Sequence, residues 1–186
     1  MQIAFRYRVK DKHAARLMEQ AAAVNYVWNF CNEVQTKAAK EGRKWLSYHD
    51  LDRLTKGATK EGLDLHSQTV QKACEQYDIS RRQHRKPWLN WRKTRGVRRS
   101  LGWVPFNGQA VKFHDGAFVF RAERYDVWLH RPLPEGAKIG SGSFSEDSRG
   151  RWYINIPVEV TEATQAVNAR VGIEPRPQDA GGAVQR

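Results

Sequence analysis

The hydrophobic period of the chain changes abruptly near its start, and that change restricts the fold more than any other feature. Ile3, Phe5, Tyr7 and Val9 fall on one side of the opening segment, with Arg6, Arg8 and Lys10 on the other. Strict alternation of this kind describes a half-buried β-strand with a basic outer face. From Asp11 the period lengthens. Leu17, Ala21, Val24, Trp28 and Cys31 recur three and four residues apart, and Val27, Val34 and Ala38 widen the stripe. The spacing predicts a long amphipathic helix over 12–41, closed by Gly42. Tyr26, Trp28 and Phe30 on this helix read as core residues. A lone strand cannot bury its apolar face, so the first one must find partners much later in the chain.

Those partners are legible after two further helices. Ser47 and Asp50 form a capping box ahead of Leu51 and Leu54, predicting a short helix that ends near Gly57. Ser67 is the expected cap of a third helix, whose Val70, Cys74 and Tyr77 share a face and which runs towards His84 before Pro87 stops it. Then come short aromatic-rich strand candidates at Leu101–Phe106, Gln109–Phe113, Ala117–Ala122 and Tyr125–His130, with Asp115-Gly116 as a two-residue hairpin turn. A further hairpin pairs Ile139–Ser145 with Trp152–Val160 around Ser148-Arg149-Gly150. Trp152, Ile154, Ile156, Val158 and Val160 share one face there, and Pro157 marks an edge or bulge. The expected class is α+β: a small antiparallel β-barrel from 1–10 and 98–160, interrupted by a three-helix insertion over 11–86 and a basic linker over 87–97. Residues 161–186 lose periodicity and read as a solvated tail.

Charge is concentrated where the pattern changes. Arg81, Arg82, Arg85, Lys86, Arg92, Lys93, Arg95, Arg98 and Arg99 fall within 19 residues that contain no acid, and they carry three-quarters of the net charge of +12. A merely solvated face would mix signs, because like charges repel. Cations interleaved with Trp88 and Trp91 suit phosphate neutralisation and stacking on unpaired bases. The two tryptophans can equally anchor the linker on the barrel. Nucleic-acid binding is therefore the function expected from the residues alone. Cys31 and Cys74 are distant in sequence and read as small core residues of a reducing cytoplasm, not as a disulfide. There is no signal-peptide core and no apolar run of membrane-spanning length. No Cys/His cluster, phosphate-cradling loop or grouped carboxylates appear, so neither a metal nor another cofactor is expected.

Several strings in order resemble one family. They are VNYVWNFCNEV, LSYHDL, SQTVQKACEQYDISRRQ, RKPWLNWRKTRGVRRSLGWVPF, WLHRPLPEG and SRGRWYINIPVEV. Together they are similar to the N-terminal half of the TnpB (OrfB) proteins, insertion-sequence-encoded, RNA-guided DNA nucleases related to compact type V CRISPR effectors. The resemblance covers residues 1–173. It implies that the barrel is oligonucleotide-binding-like and that barrel and helices grip a transposon-end guide RNA while reading a short motif beside the DNA target. It also implies that Tyr48, Ser67, Gln68 and Gln71 contribute to the DNA readout; glutamine suits a bidentate contact with adenine.

The chain departs from that family where a RuvC-like nuclease domain would start. The family's Gly-Ile-Asp-Leu-Gly string, whose Asp binds metal, is replaced by Val171-Gly172-Ile173-Glu174-Pro175, with twelve residues after Glu174. The resemblance therefore implies a transposase-type protein that binds guide RNA and target DNA through Arg6, Arg8 and the residues 81–99, and does not cleave alone. Three alternatives stand beside it: a split nuclease completed by a separate RuvC-like polypeptide, a nuclease-dead RNA-guided repressor, and a decayed product without a selected role.

Overall fold

The computed structural model describes residues 2–159. The chain runs β1 (Gln2–Val9), α1 (Ala14–Lys40), α2 (Tyr48–Thr55), α3 (Ser67–His84), β2 (Trp103–Phe106), β3 (Val111–His114), β4 (Ala117–Phe120), β5 (Glu123–Trp128), β6 (Lys138–Ile139), β7 (Gly142–Glu146) and β8 (Trp152–Glu159). The predicted tail, Glu174 and Val160 lie outside the described residues.

The lone first strand is placed in the middle of the sheet. Its Phe5 pairs with Ile156 and its Tyr7 with Ile154 of β8, while Arg8 and Val9 pair with Trp128 and Val127 of β5. All eight strands are antiparallel along the path β2-β7-β8-β1-β5-β4-β3, with β6 pairing to β8 beyond the end of β7. The sheet curls on itself. Phe106 of β2 and Phe120 of β4 belong to opposite ends of the path, yet their ring centroids are 5.9 Å apart. Phe144 stands 5.5 Å from Phe106 and 5.0 Å from Tyr125, so these aromatics form the centre of the core.

The expected barrel does not close. Among the described residues no ladder joins β2 to β3. The chain passes between them through Asn107 and a 3-10 turn at Gly108–Ala110, with Asn107 Oδ1 accepting a hydrogen bond from the Gln109 amide. That turn sits against β6 where a closing ladder would run. A Cβ on Gly108 would lie 2.1 Å from the Ile139 carbonyl oxygen, so only glycine allows the approach. The structure is an α+β arrangement of three helices on an open, curled sheet.

The helices follow their local signals with two differences. The Ser47–Asp50 capping box forms as expected, with Ser47 N donating to Asp50 Oδ2 at 2.9 Å. The third helix is capped by His66 rather than Ser67, its Nδ1 accepting from the Gln68 amide at 3.2 Å. An imidazole nitrogen supplies the acceptor usually given by a hydroxyl or carboxylate. Tyr26, expected in the core, is 66% exposed. It lies two residues, about 200°, round the helix from buried Val24. The helical layer is tied to the sheet by Gln20, which donates to the Tyr125 hydroxyl at 3.0 Å, and by Arg16, which donates to Glu123 at 2.9 Å. Cys31 and Cys74 are both buried free thiols, as expected, but α1 and α3 bring their sulfurs within 3.6 Å.

Candidate nucleic-acid interface

Extended backbone with no ladder partner must find its hydrogen bonds elsewhere. The linker after α3 finds them on α1. Asn32 Nδ2 donates to the Leu89 carbonyl at 2.8 Å and its Oδ1 accepts from the Leu89 amide at 2.8 Å. Asn29 makes the same two-way contact with Arg92, also at 2.8 Å each way. Asn25 Oδ1 accepts from Arg92 Nε at 2.6 Å, and Trp28 Nε1 donates to the Asn90 carbonyl at 3.3 Å. Three asparagines spaced four and three apart on one helix face thus hold the linker along α1. Sequence reasoning missed them, although asparagine is a poor mid-helix residue and three on one face is a readable signal.

Fixing the linker sorts its nine cations by role. Arg81 is buried, donates to Asp78 at 2.9 Å and to the Leu46 carbonyl at 2.9 Å, and stacks over Trp45. Arg92 donates to the Leu101 carbonyl at 2.7 Å, with Trp28 and Trp103 on either side. Burial pushes its pKa down. Arg99 makes a bidentate pair with Glu146 at 2.6 and 2.7 Å, and Glu146 also accepts from the Gly102 amide. The Arg99 guanidinium, helped by that amide, holds the Glu146 carboxyl below its ordinary range despite burial. Arg82 is largely exposed but paired with Asp78. Arg85, Lys86, Lys93, Arg95 and Arg98 are exposed and make no ion pair among the described residues.

Local turns aim these five outwards. Arg85 leaves α3 in the left-handed region at φ 50°, with Lys86 N donating to the Arg81 carbonyl. Lys93 and Ser100 bond backbone to backbone at 2.8 Å, closing a loop whose tip is Arg95-Gly96-Val97-Arg98. Trp88 and Trp91 are 44% and 53% exposed, so neither is buried as an anchor.

Arg6 and Arg8 lie on a separate part of the surface, the outer face of the sheet. Pairing registers place Trp103, Ser145, Tyr153, Arg8 and Trp128 in one row across five strands, and Pro105, Ser143, Asn155 and Arg6 in the next. Arg6 stacks over Tyr153 at 4.0 Å, Arg8 pairs with Asp11 at 3.2 Å, and Lys10 stands over the exposed Trp128 at 5.4 Å. The row begins at Trp103, which touches Trp28 and Arg92, so Arg8 is roughly 14 Å from the linker's root, three strand spacings away.

Tyr48, Ser67, Gln68 and Gln71 lie around the start of α2 and the start of α3. Ser67 and Gln71 are exposed and line a groove of about 290 Å³ with Asp52 and Lys56; Gln68 and Tyr48 are half-buried. Burial, followed by the charges of Asp52 and Glu75, pushes the Tyr48 hydroxyl pKa up. The start of α3 and the linker at its end are roughly 25 Å apart along an 18-residue helix. Among the described residues no group of three or more His, Cys, Asp or Glu side chains is placed to hold a metal, and no helix is long and apolar enough to cross a membrane.

No protein-family model matches the chain. It is distantly homologous to a protein of Streptomyces pristinaespiralis described as a "Putative RNA-guided DNA endonuclease", 26% identical over 181 residues. The match takes in 92% of this chain and 45% of that protein, so the chain spans about half the length of the relative.

Proposed function

We propose that this chain is the nucleic-acid-binding part of a TnpB-like, transposon-associated RNA-guided system. In this reading it grips a guide RNA derived from the mobile element and reads target DNA, without cutting strands by itself in the cytoplasm where it acts. The observation that carries the reading is the linker. Five cations unpaired among the described residues and two exposed tryptophans are displayed on a linker whose backbone is fixed by Asn29 and Asn32 and whose Arg92 side chain is held by Asn25. A solvated tail would not need such fixing, whereas a surface that must meet phosphates in register does.

The layout supports a division of labour. The linker and the outer face, with its oligonucleotide-binding-like row of Trp103, Tyr153, Arg8 and Trp128, take RNA. The start of α3, with Ser67, Gln68 and Gln71, takes the edge of duplex DNA, and Tyr48 at the start of α2, beside Cys74 and Glu75, adds to that readout from further along α3. Conspicuous carboxylates are already engaged: Asp64 with Arg16 and Arg121, Glu146 with Arg99, and Asp78 with Arg81 and Arg82. They serve as structural bridges.

Titration of the protein with single-stranded RNA over a salt series tests this. If the five cations each neutralise a phosphate, log K should fall against log salt with a slope of about −3.5, at ~0.7 per phosphate. Replacing Arg85, Lys86, Lys93, Arg95 and Arg98 by alanine should flatten the slope. A wild-type slope near zero, or one the five substitutions leave unchanged, would remove the proposal.

A further inference from the structure

Beside the linker is an open pocket that the proposed RNA grip does not itself require. It has a volume of about 370 Å³ and lies between α1, α3 and the linker. Trp28 and Trp91 form aromatic walls, Ser80 and Ser100 contribute hydroxyls, and Lys86 and His84 stand at its side. Trp28 is fixed by its hydrogen bond to the Asn90 carbonyl and by edge contacts with Tyr77 and Trp103 at 5.2 and 6.5 Å. Trp91 is 53% exposed and makes no hydrogen bond among the described residues. One wall is therefore rigid and the other is solvent-facing and adaptable.

The geometry points to this cavity as the seat of one unpaired RNA base. It is at the small end of ligand pockets, fitting a single planar ring system rather than a helix or strand. The exposed Trp91 indole offers a flat face for stacking, and the hydroxyls and imidazole offer donors and acceptors to a base edge or a 2′-hydroxyl. Lys86 and the neighbouring Arg85 and Lys93 supply the positive charge that a phosphate chain entering and leaving the pocket needs. A space of this volume between α1, α3 and the linker takes one splayed ring and not a stacked duplex, and loops and bulges of RNA present unpaired bases as their ordinary state. This inference rests on the linker being an RNA-binding surface and adds where and how a base is held.

The test compares wild type, Trp91→Ala and Trp91→Phe against a mixed-sequence single-stranded RNA, the same sequence as single-stranded DNA, and the RNA duplex, each over a salt series. Trp91→Ala should weaken single-stranded RNA binding about ten-fold, the scale of a lost base–aromatic stack, with the salt slope unchanged. Trp91→Phe should recover most of that loss, and duplex binding should not respond to either change. Unaltered single-strand affinity in Trp91→Ala, with the slope intact, would overturn the pocket while leaving the basic surface standing. An equal loss on DNA would overturn the assignment to RNA. Failure of the wild type to bind any of the three would overturn both the pocket and the proposed function beneath it.

Discussion

Asn32 satisfies three groups at once: the amide and carbonyl of Leu89 and the hydroxyl of Tyr77, which donates to its Oδ1 at 2.9 Å. The side chain is buried, so alanine there would strand all three partners away from water. Asn32→Ala should lower unfolding stability by about 2–3 kcal/mol, read as a drop in denaturant midpoint, and the Leu89 amide should exchange faster with solvent. An unchanged midpoint would mean the linker is not held as described. Asp64 sets a different test. Hydrogen bonds from Arg16 and Arg121 hold its carboxyl at about 2 against an ordinary 3.8. A depressed acid stabilises the fold in full above 3.8 and loses that contribution as pH falls through about 2. Asp64→Asn should therefore lower Tm slightly near neutrality, by the equivalent of less than about 1 kcal/mol at this exposure, and flatten the Tm decline in that acid window. Parallel Tm curves for the two proteins would contradict it. At this scale the basic run was visible in the sequence but its internal division was not. Arg81, Arg92 and Arg99 look like their neighbours on paper; what distinguishes them is Asp78, Asn25 and Glu146, and the last two are 67 and 47 residues away.

Elements were legible where a local signal and a tertiary need agree. The first strand and long helix follow from period alone, and Asp115-Gly116 adopts φ values of 46° and 72°, as its residue types predict for a two-residue hairpin turn. The next turn was missed, and β4 and β5 were misjudged by a few residues as a result. Arg121 and Ala122 occupy the left-handed region at 55° and 62°, a conformation their side chains disfavour. The Arg121 guanidinium donates to Asp64 Oδ1 at 2.8 Å and to its carbonyl at 3.1 Å, and this tether to the helical layer offsets the backbone strain. Ala122→Gly should therefore stabilise the protein by about 0.5–1 kcal/mol, measured by thermal or denaturant unfolding, because glycine accepts that φ at no steric cost. A destabilised Ala122→Gly would contradict the strain argument. Closure of the sheet was unreadable for a related reason: nothing in a short strand's sequence says whether its far edge pairs, and the Gly108 turn decides it by lying against β6.

Across the whole molecule, one helix links two surfaces of different chemistry. The start of α3 shows serine and glutamine, and its end opens into a cationic linker with exposed indoles. The curled sheet extends the linker surface through the Trp103–Arg8–Trp128 row. The distant relative is described as a putative RNA-guided DNA endonuclease, and the chain spans about half of its length. The most direct measurement is native purification followed by sequencing of bound RNA, for the wild type and for the variant with alanine at Arg85, Lys86, Lys93, Arg95 and Arg98. One discrete RNA recovered with the wild type and lost from a folded variant is the predicted result. Heterogeneous RNA, or a discrete RNA retained equally by the variant, would contradict the claim that this linker grips a guide.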